Sequence, residues 1–119
     1  FTCDKFVIWF QDKEQLQAFR KISDVHFNCI DRGGTFREFV PHGYSKATGI
    51  QFVLDHYNLS KEDAYAFGDS NNDLAMFEYA ATKVAMGNAS PKIKELADYV
   101  TSDMFHYGIR DGLKYLKLI

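Results

Sequence analysis

The sequence predicts an α/β chain in two parts: the end of a small α+β unit over residues 1–40, then a parallel-sheet unit over residues 41–119. Three observations predict this. Before Pro41, two alternating runs flank Arg32-Gly33-Gly34, the signature of an antiparallel hairpin. After Pro41, short apolar strands alternate with segments of helical period, the pattern of parallel strands covered on both faces. The stretch Phe67-Gly68-Asp69-Ser70-Asn71-Asn72-Asp73 sets a carboxylate at a strand's C-terminal end ahead of a helix. Open α/β sheets bind ligands there.

Taken in order, residues 5–10 read as a strand and 13–21 as a helix with Leu16 and Phe19 or Arg20 on adjacent turns. Over residues 25–31, Val25, Phe27 and Cys29 share one face and His26, Asn28 and Ile30 the other; residues 35–40 are the return strand. The result is β-α-β-β. Past Pro41, Ser45 is a good N-cap, and Ala47, Ile50, Val53 or Leu54, and Tyr57 form an apolar face at helical spacing. Ser60-Lys61-Glu62-Asp63 can cap one helical turn. A strand at 64–67, a helix at 72–79 and a strand at 84–86 follow, with a turn at Gly87-Asn88. Ser90-Pro91 opens the next helix as N-cap and first helical position. A strand at 99–101 and a helix at 109–116 complete the chain. Right-handed crossovers put the strand ends carrying Asp69 and Gly87 on one rim.

A length of 119 residues suits about one domain, and 46% hydrophobic with 16% aromatic residues supplies a core. The net charge is -2, and no basic stripe with interleaved aromatics occurs, which argues against a nucleic-acid partner. No run approaches the roughly 20 apolar residues of a membrane span, and no secretory pattern opens the chain, so no membrane partner is expected. The two cysteines, Cys3 and Cys29, are too few for a disulfide framework and fit a reducing, cytoplasmic location. The chain opens at Phe1 without an initiator Met, as a piece of a longer protein would.

Asp69 and Asp73, four residues apart with amides between them, suit a hard cation such as Mg²⁺ with a phosphate beside it. Each is also an ordinary loop or cap carboxylate. Gly68 before them and Asn71 and Asn72 between them favour the cation–phosphate pair at a helix start. Lys46 stands in the first turn of its helix, where a cation opposes the helix dipole at a cost of roughly a few tenths of a kcal/mol. A phosphate oxygen or an aspartate would give it a reason to be there; the plain alternative is a solvated surface lysine. His26, His42, His56 and His106 lie at no metal-ligand spacing. Ser45 and Ser70 lack the Gly-x-Ser-x-Gly setting of a hydrolase nucleophile. The glycines form no dinucleotide or P-loop fingerprint.

Gly-Tyr-Ser-Lys-Ala-Thr-Gly at 43–49, Ala-Phe-Gly-Asp-Ser-Asn-Asn-Asp-Leu-Ala-Met at 66–76 and Val-Ala-Met-Gly-Asn-Ala at 84–89 occur in that order. Ala-Asp-Tyr-Val-Thr at 97–101 and Gly-Ile-Arg-Asp-Gly at 108–112 continue the series. Together they resemble the C-terminal part of haloacid dehalogenase (HAD) superfamily hydrolases, most closely the Cof-type sugar-phosphatase branch. The resemblance implies a HAD-type Rossmann-like core, with the β-α-β-β segment as the end of an α+β cap. It implies a Mg²⁺-dependent phosphatase of small phosphorylated metabolites that works through an aspartyl-phosphate. In that scheme Lys46 binds phosphate, Asp69 ligates Mg²⁺, Asn72 hydrogen-bonds phosphate, Asp73 acts from beside the ion, and Asn88 stands in a second shell. Lys46 and Asp73 are then the catalytic residues of this chain.

The motif with the nucleophile and the acid/base aspartate is absent. Asp31-Arg32-Gly33-Gly34-Thr35 resembles it but has Gly33 where the second aspartate belongs, and reads as a hairpin turn. The nucleophile is therefore expected from an upstream segment of the same protein, and the isolated chain is expected to be inactive. The core would also lack its first strand, a gap expected to be filled by that segment, a partner chain or altered packing. A phosphotransferase or phosphomutase of the same superfamily, and a non-catalytic binding module on the HAD fold, are the alternatives.

Overall fold

The structure, a computed structural model, describes residues 3–119; Phe1 and Thr2 lie outside the described residues. The chain divides into two compact units, one ending at Ser45 and the other running Lys46–Ile119.

In the first unit, β1 (Phe6–Trp9), α1 (Lys13–Ser23), β2 (Phe27–Asp31) and β3 (Phe36–Pro41) form an antiparallel sheet in the order β1-β3-β2. Asp12 caps α1 by accepting from the Gln15 amide. The alternation puts aromatic rings on the face that α1 covers. Phe6 stacks on Phe39 at 4.9 Å between centroids, and Phe19 of α1 meets Phe39 edge-on at 5.4 Å. Phe39 is fully buried. On the opposite face Trp9 stacks on its cross-strand partner Phe36. Buried Glu38 accepts from Arg32 at 2.9 Å and from Lys5 at 3.4 Å.

The hairpin turn is confirmed. Gly33 and Gly34 take φ of 94° and 52°, a region that side chains disfavour. Asp31 serves this turn: its Oδ1 accepts from the Gly33 amide at 2.8 Å and pairs with Arg37 at 3.0 Å.

In the second unit, α2 (Lys46–Tyr57) and a single turn at Lys61–Asp63 precede β4 (Tyr65–Gly68). A second single turn, Asn71–Asp73, leads into α3 (Leu74–Tyr79). Then come β5 (Thr82–Ala85), α4 (Pro91–Leu96), β6 (Tyr99–Val100), a turn at Met104–His106 and α5 (Gly108–Tyr115). The sheet is parallel in the order β4-β5-β6, with Gly68 opposite Ala85. Its core joins Ala66, Phe77, Ala80, Ala85, Met86, Ala89 and Ile93. Buried Gly112 lets α5 approach Phe67 and Val84, and Tyr115 of α5 stacks on Tyr99 at 3.7 Å. Of the α2 face read from the sequence, Leu54 is buried while Val53 and Tyr57 are exposed. Among the described residues β4 pairs only with β5, and no strand pairs with its other edge. No helix among the described residues is long and apolar enough to cross a membrane.

Candidate active site

Parallel strands deliver their following loops to one end of the sheet, so residues 69–72, 87–90 and 102–107 share the C-terminal rim of the second unit. Hydrogen bonds join them in series. The Ser90 amide donates to the Asp69 carbonyl at 2.9 Å, and the Gly87 amide to the Ser102 carbonyl at 3.1 Å. The Met104 amide donates to Asn88 Oδ1 at 3.1 Å.

The loop after β4 is shaped by Gly68 and Asp73. A Cβ on Gly68 would lie 2.5 Å from Phe77 Cε2 and 2.9 Å from the Asp73 Cβ. Glycine is thus required for close approach of α3 and not for a left-handed turn, since its φ is not positive. Asp73 is buried, 4% exposed. Its Oδ2 accepts from the Asp69 amide at 2.9 Å and the Ser70 amide at 3.1 Å. Its Oδ1 accepts from Lys46 Nζ, across 27 residues of sequence. Burial pushes the Asp73 carboxyl up; the Lys46 ammonium and the two amides pull it down further, leaving it below the ordinary carboxylate range.

Lys46 is the first residue of α2 and its side chain is half-exposed, so the ammonium meets Asp73 with one proton and has others to offer. Asp69 has its amide held by Asp73 and its carbonyl held by Ser90, while the residue itself is exposed. Asn72 is half-buried. Its Oδ1 accepts from Ser70 Oγ at 2.7 Å, which leaves the side-chain NH₂ as a donor. The structure thus brings Lys46, Asp69, Asn72 and Asp73 together. Asn88 lies on the same rim, but its Oδ1 holds the 102–107 loop rather than the Asp69 loop.

The donor set sets limits on a cation. Among the described residues no three His, Cys, Asp or Glu side chains cluster to hold a metal. Asp73 has both oxygens engaged within the chain, so it fits a place beside an ion and not in direct contact. Asp69 fits a single hard-oxygen ligand of Mg²⁺. The sequence does not reveal that Asn71 and Ser90 meet. Ser90 Oγ donates to Asn71 Oδ1 at 3.3 Å, and Ser-Pro announces only a helix cap, with no sign of this contact.

An exposed carboxylate beside a buried aspartate that holds a half-exposed lysine, at the C-terminal end of a parallel sheet, belongs to α/β proteins that take ligands at strand ends. The chain is a member of the haloacid dehalogenase-like hydrolases, whose family model matches residues 1–113, in the Cof-type branch its motifs resemble. It is 49% identical over 117 residues to YkrA of Bacillus subtilis (strain 168), covering 97% of this chain and 44% of that protein. It is 36% identical over 108 residues to 5-amino-6-(5-phospho-D-ribitylamino)uracil phosphatase YitU of the same organism, covering 86% of this chain and 40% of that one. The phosphatase BT1666 from Bacteroides thetaiotaomicron superposes with a TM-score of 0.86 at 30% identity, over 98% of this chain and 43% of its own. The subclass IIB sugar phosphatase BT4131 superposes with a TM-score of 0.83 at 28% identity, over 97% of this chain and 44% of its own. The chain therefore spans less than half the length of these relatives, several of which are phosphatases.

Proposed function

We propose that this chain is part of a Mg²⁺-dependent phosphatase acting on a small phosphorylated metabolite such as a sugar phosphate. The observation that carries the reading is the buried Asp73, which holds Lys46 with one oxygen and the Asp69–Ser70 backbone with the other. One side chain thereby fixes a cationic anchor and a candidate metal ligand in the same place. YitU and BT4131, phosphatases of a phosphoribitylamino compound and of sugars, support the substrate class.

In this reading Lys46 keeps one proton on Asp73 and turns another to a phosphate oxygen, and the Asn72 NH₂ donates to a second. Asp69 holds Mg²⁺, which when bound neutralises phosphate charge. Asp73 stays ionised at neutral pH and acts through Lys46 and the loop. Phosphoryl transfer also needs a nucleophilic carboxylate about 3 Å from phosphorus with an acid/base nearby. Asp31 is committed to its hairpin, so both groups come from the portion of the whole protein outside these residues. The same portion is proposed to pair with the other edge of β4, beside the apolar groove lined by Ile50, Val53, Tyr65 and Met76.

The test is hydrolysis of an aryl phosphate by the whole protein, with Mg²⁺ and with a chelator. Asp69→Asn should lower Mg²⁺-dependent turnover by at least about two orders of magnitude. The 119-residue chain alone should give none. Turnover that survives Asp69→Asn nearly unaltered removes Asp69 from the metal site. Metal-dependent turnover by the isolated chain removes the need for an outside nucleophile.

A further inference from the structure

Ser90 has the backbone of a helix N-cap, with φ -61° and ψ 151° ahead of Pro91, yet its side chain makes no cap hydrogen bond. An N-cap serine ordinarily accepts from an amide of the first turn. Here Ser90 Oγ instead donates to Asn71 Oδ1, while the Ser90 amide donates to the Asp69 carbonyl. The residue therefore grips the loop at two points that bracket Ser70. From the other side, Asp73 grips the Asp69 and Ser70 amides. The Asp69–Asn71 loop is thus held from both sides, by Asp73 ahead of α3 and by Ser90 ahead of α4, and it carries the exposed Asp69 side chain.

We infer that Ser90 is a positioning residue: through Asn71 it fixes the direction of the Asp69 carboxylate and hence its hold on a divalent cation. The metal part of this inference rests on the proposed function. The contact at 3.3 Å is long for an O–H···O bond, so its effect is modest. The effect is also specific, because it runs through one acceptor atom.

The experiment uses the whole protein as parent, Ser90→Ala, Ser90→Thr, Asn71→Ala and the Ser90→Ala/Asn71→Ala pair. Amide hydrogen exchange over residues 69–72 is measured without metal, and half-saturating Mg²⁺ and KM are measured with an aryl phosphate. Ser90→Ala should speed exchange and raise half-saturating Mg²⁺, each roughly two- to tenfold, while KM holds. Ser90→Thr, which keeps the hydroxyl, should restore both. In the Asn71→Ala background Ser90→Ala should add nothing, since the two share one interaction. Unchanged exchange, an unchanged Mg²⁺ requirement, or equal effects of Ser90→Ala in both backgrounds overturns the inference and leaves the phosphatase reading standing. A parent protein with no Mg²⁺-dependent turnover overturns that reading itself, and the metal role of Ser90 with it.

Discussion

Replacing Asp73 by Asn tests the centre of the site, because three donors converge on this one buried carboxylate. The substitution keeps the shape and removes the charge. A single amide oxygen can still accept from the Asp69 and Ser70 amides. The new NH₂ then faces the Lys46 ammonium, donor against donor. Each backbone bond falls from a charged to a neutral acceptor, a loss of about 1 kcal/mol apiece. The Lys46 side chain is 47% exposed, so its share is screened and adds no more than about 1 kcal/mol. The sum is about 2–3 kcal/mol, which lowers a urea midpoint by roughly 1–2 M at an ordinary denaturant slope. The native Asp73 carboxyl lies below its ordinary value, so its stabilisation is complete above about pH 4 and is lost as pH falls through the depressed native value. Urea unfolding of the whole protein at pH 7 and pH 3 should therefore show a gap between parent and Asp73→Asn that narrows in acid. Equal midpoints at pH 7, or a gap unchanged by acid, would refute the convergence of donors on an ionised Asp73.

Gly68→Ala forces a Cβ to 2.5 Å from Phe77 and 2.9 Å from Asp73. It should destabilise by about 1–3 kcal/mol in unfolding measurements and loosen the Asp69 loop; a neutral effect would mean that α3 does not pack as described. Lys46→Ala should weaken binding of a phosphate analogue and lower turnover together, since the ammonium serves both bound and reacting phosphate. A fall in turnover with analogue binding intact would place Lys46 away from phosphate.

The fold was legible wherever its cause was local. Alternation, Gly33-Gly34 and the Ser90-Pro91 cap located the hairpin and the start of α4 because each depends on neighbours in sequence. The helix expected over 72–79 is instead a single tight turn followed by α3. Asp73 reaches back to the Asp69 and Ser70 amides and tightens the first turn there, an effect that periodicity does not encode. Burial of Glu38 between Arg32 and Lys5 was likewise not visible, because a charged residue on an alternating strand reads as solvent-facing until its cross-strand neighbours are known.

Within the site, legibility followed the same rule with one exception. Asp69, Asn72 and Asp73 share one turn, so spacing alone gathers them. Lys46 lies 27 residues from Asp73, and the signal that found it was energetic: a cation at a helix N-terminus is out of place unless an anion meets it. Asn71 and Ser90 carry no such signal, since an uncharged amide in a loop and a serine before proline are both at ease without a distant partner. Polar, uncharged residues that hold a functional loop therefore escape a sequence reading more readily than the charges they orient. They become visible only when a side chain forgoes the local bond its position offers, as Ser90 does in leaving its own helix uncapped for Asn71.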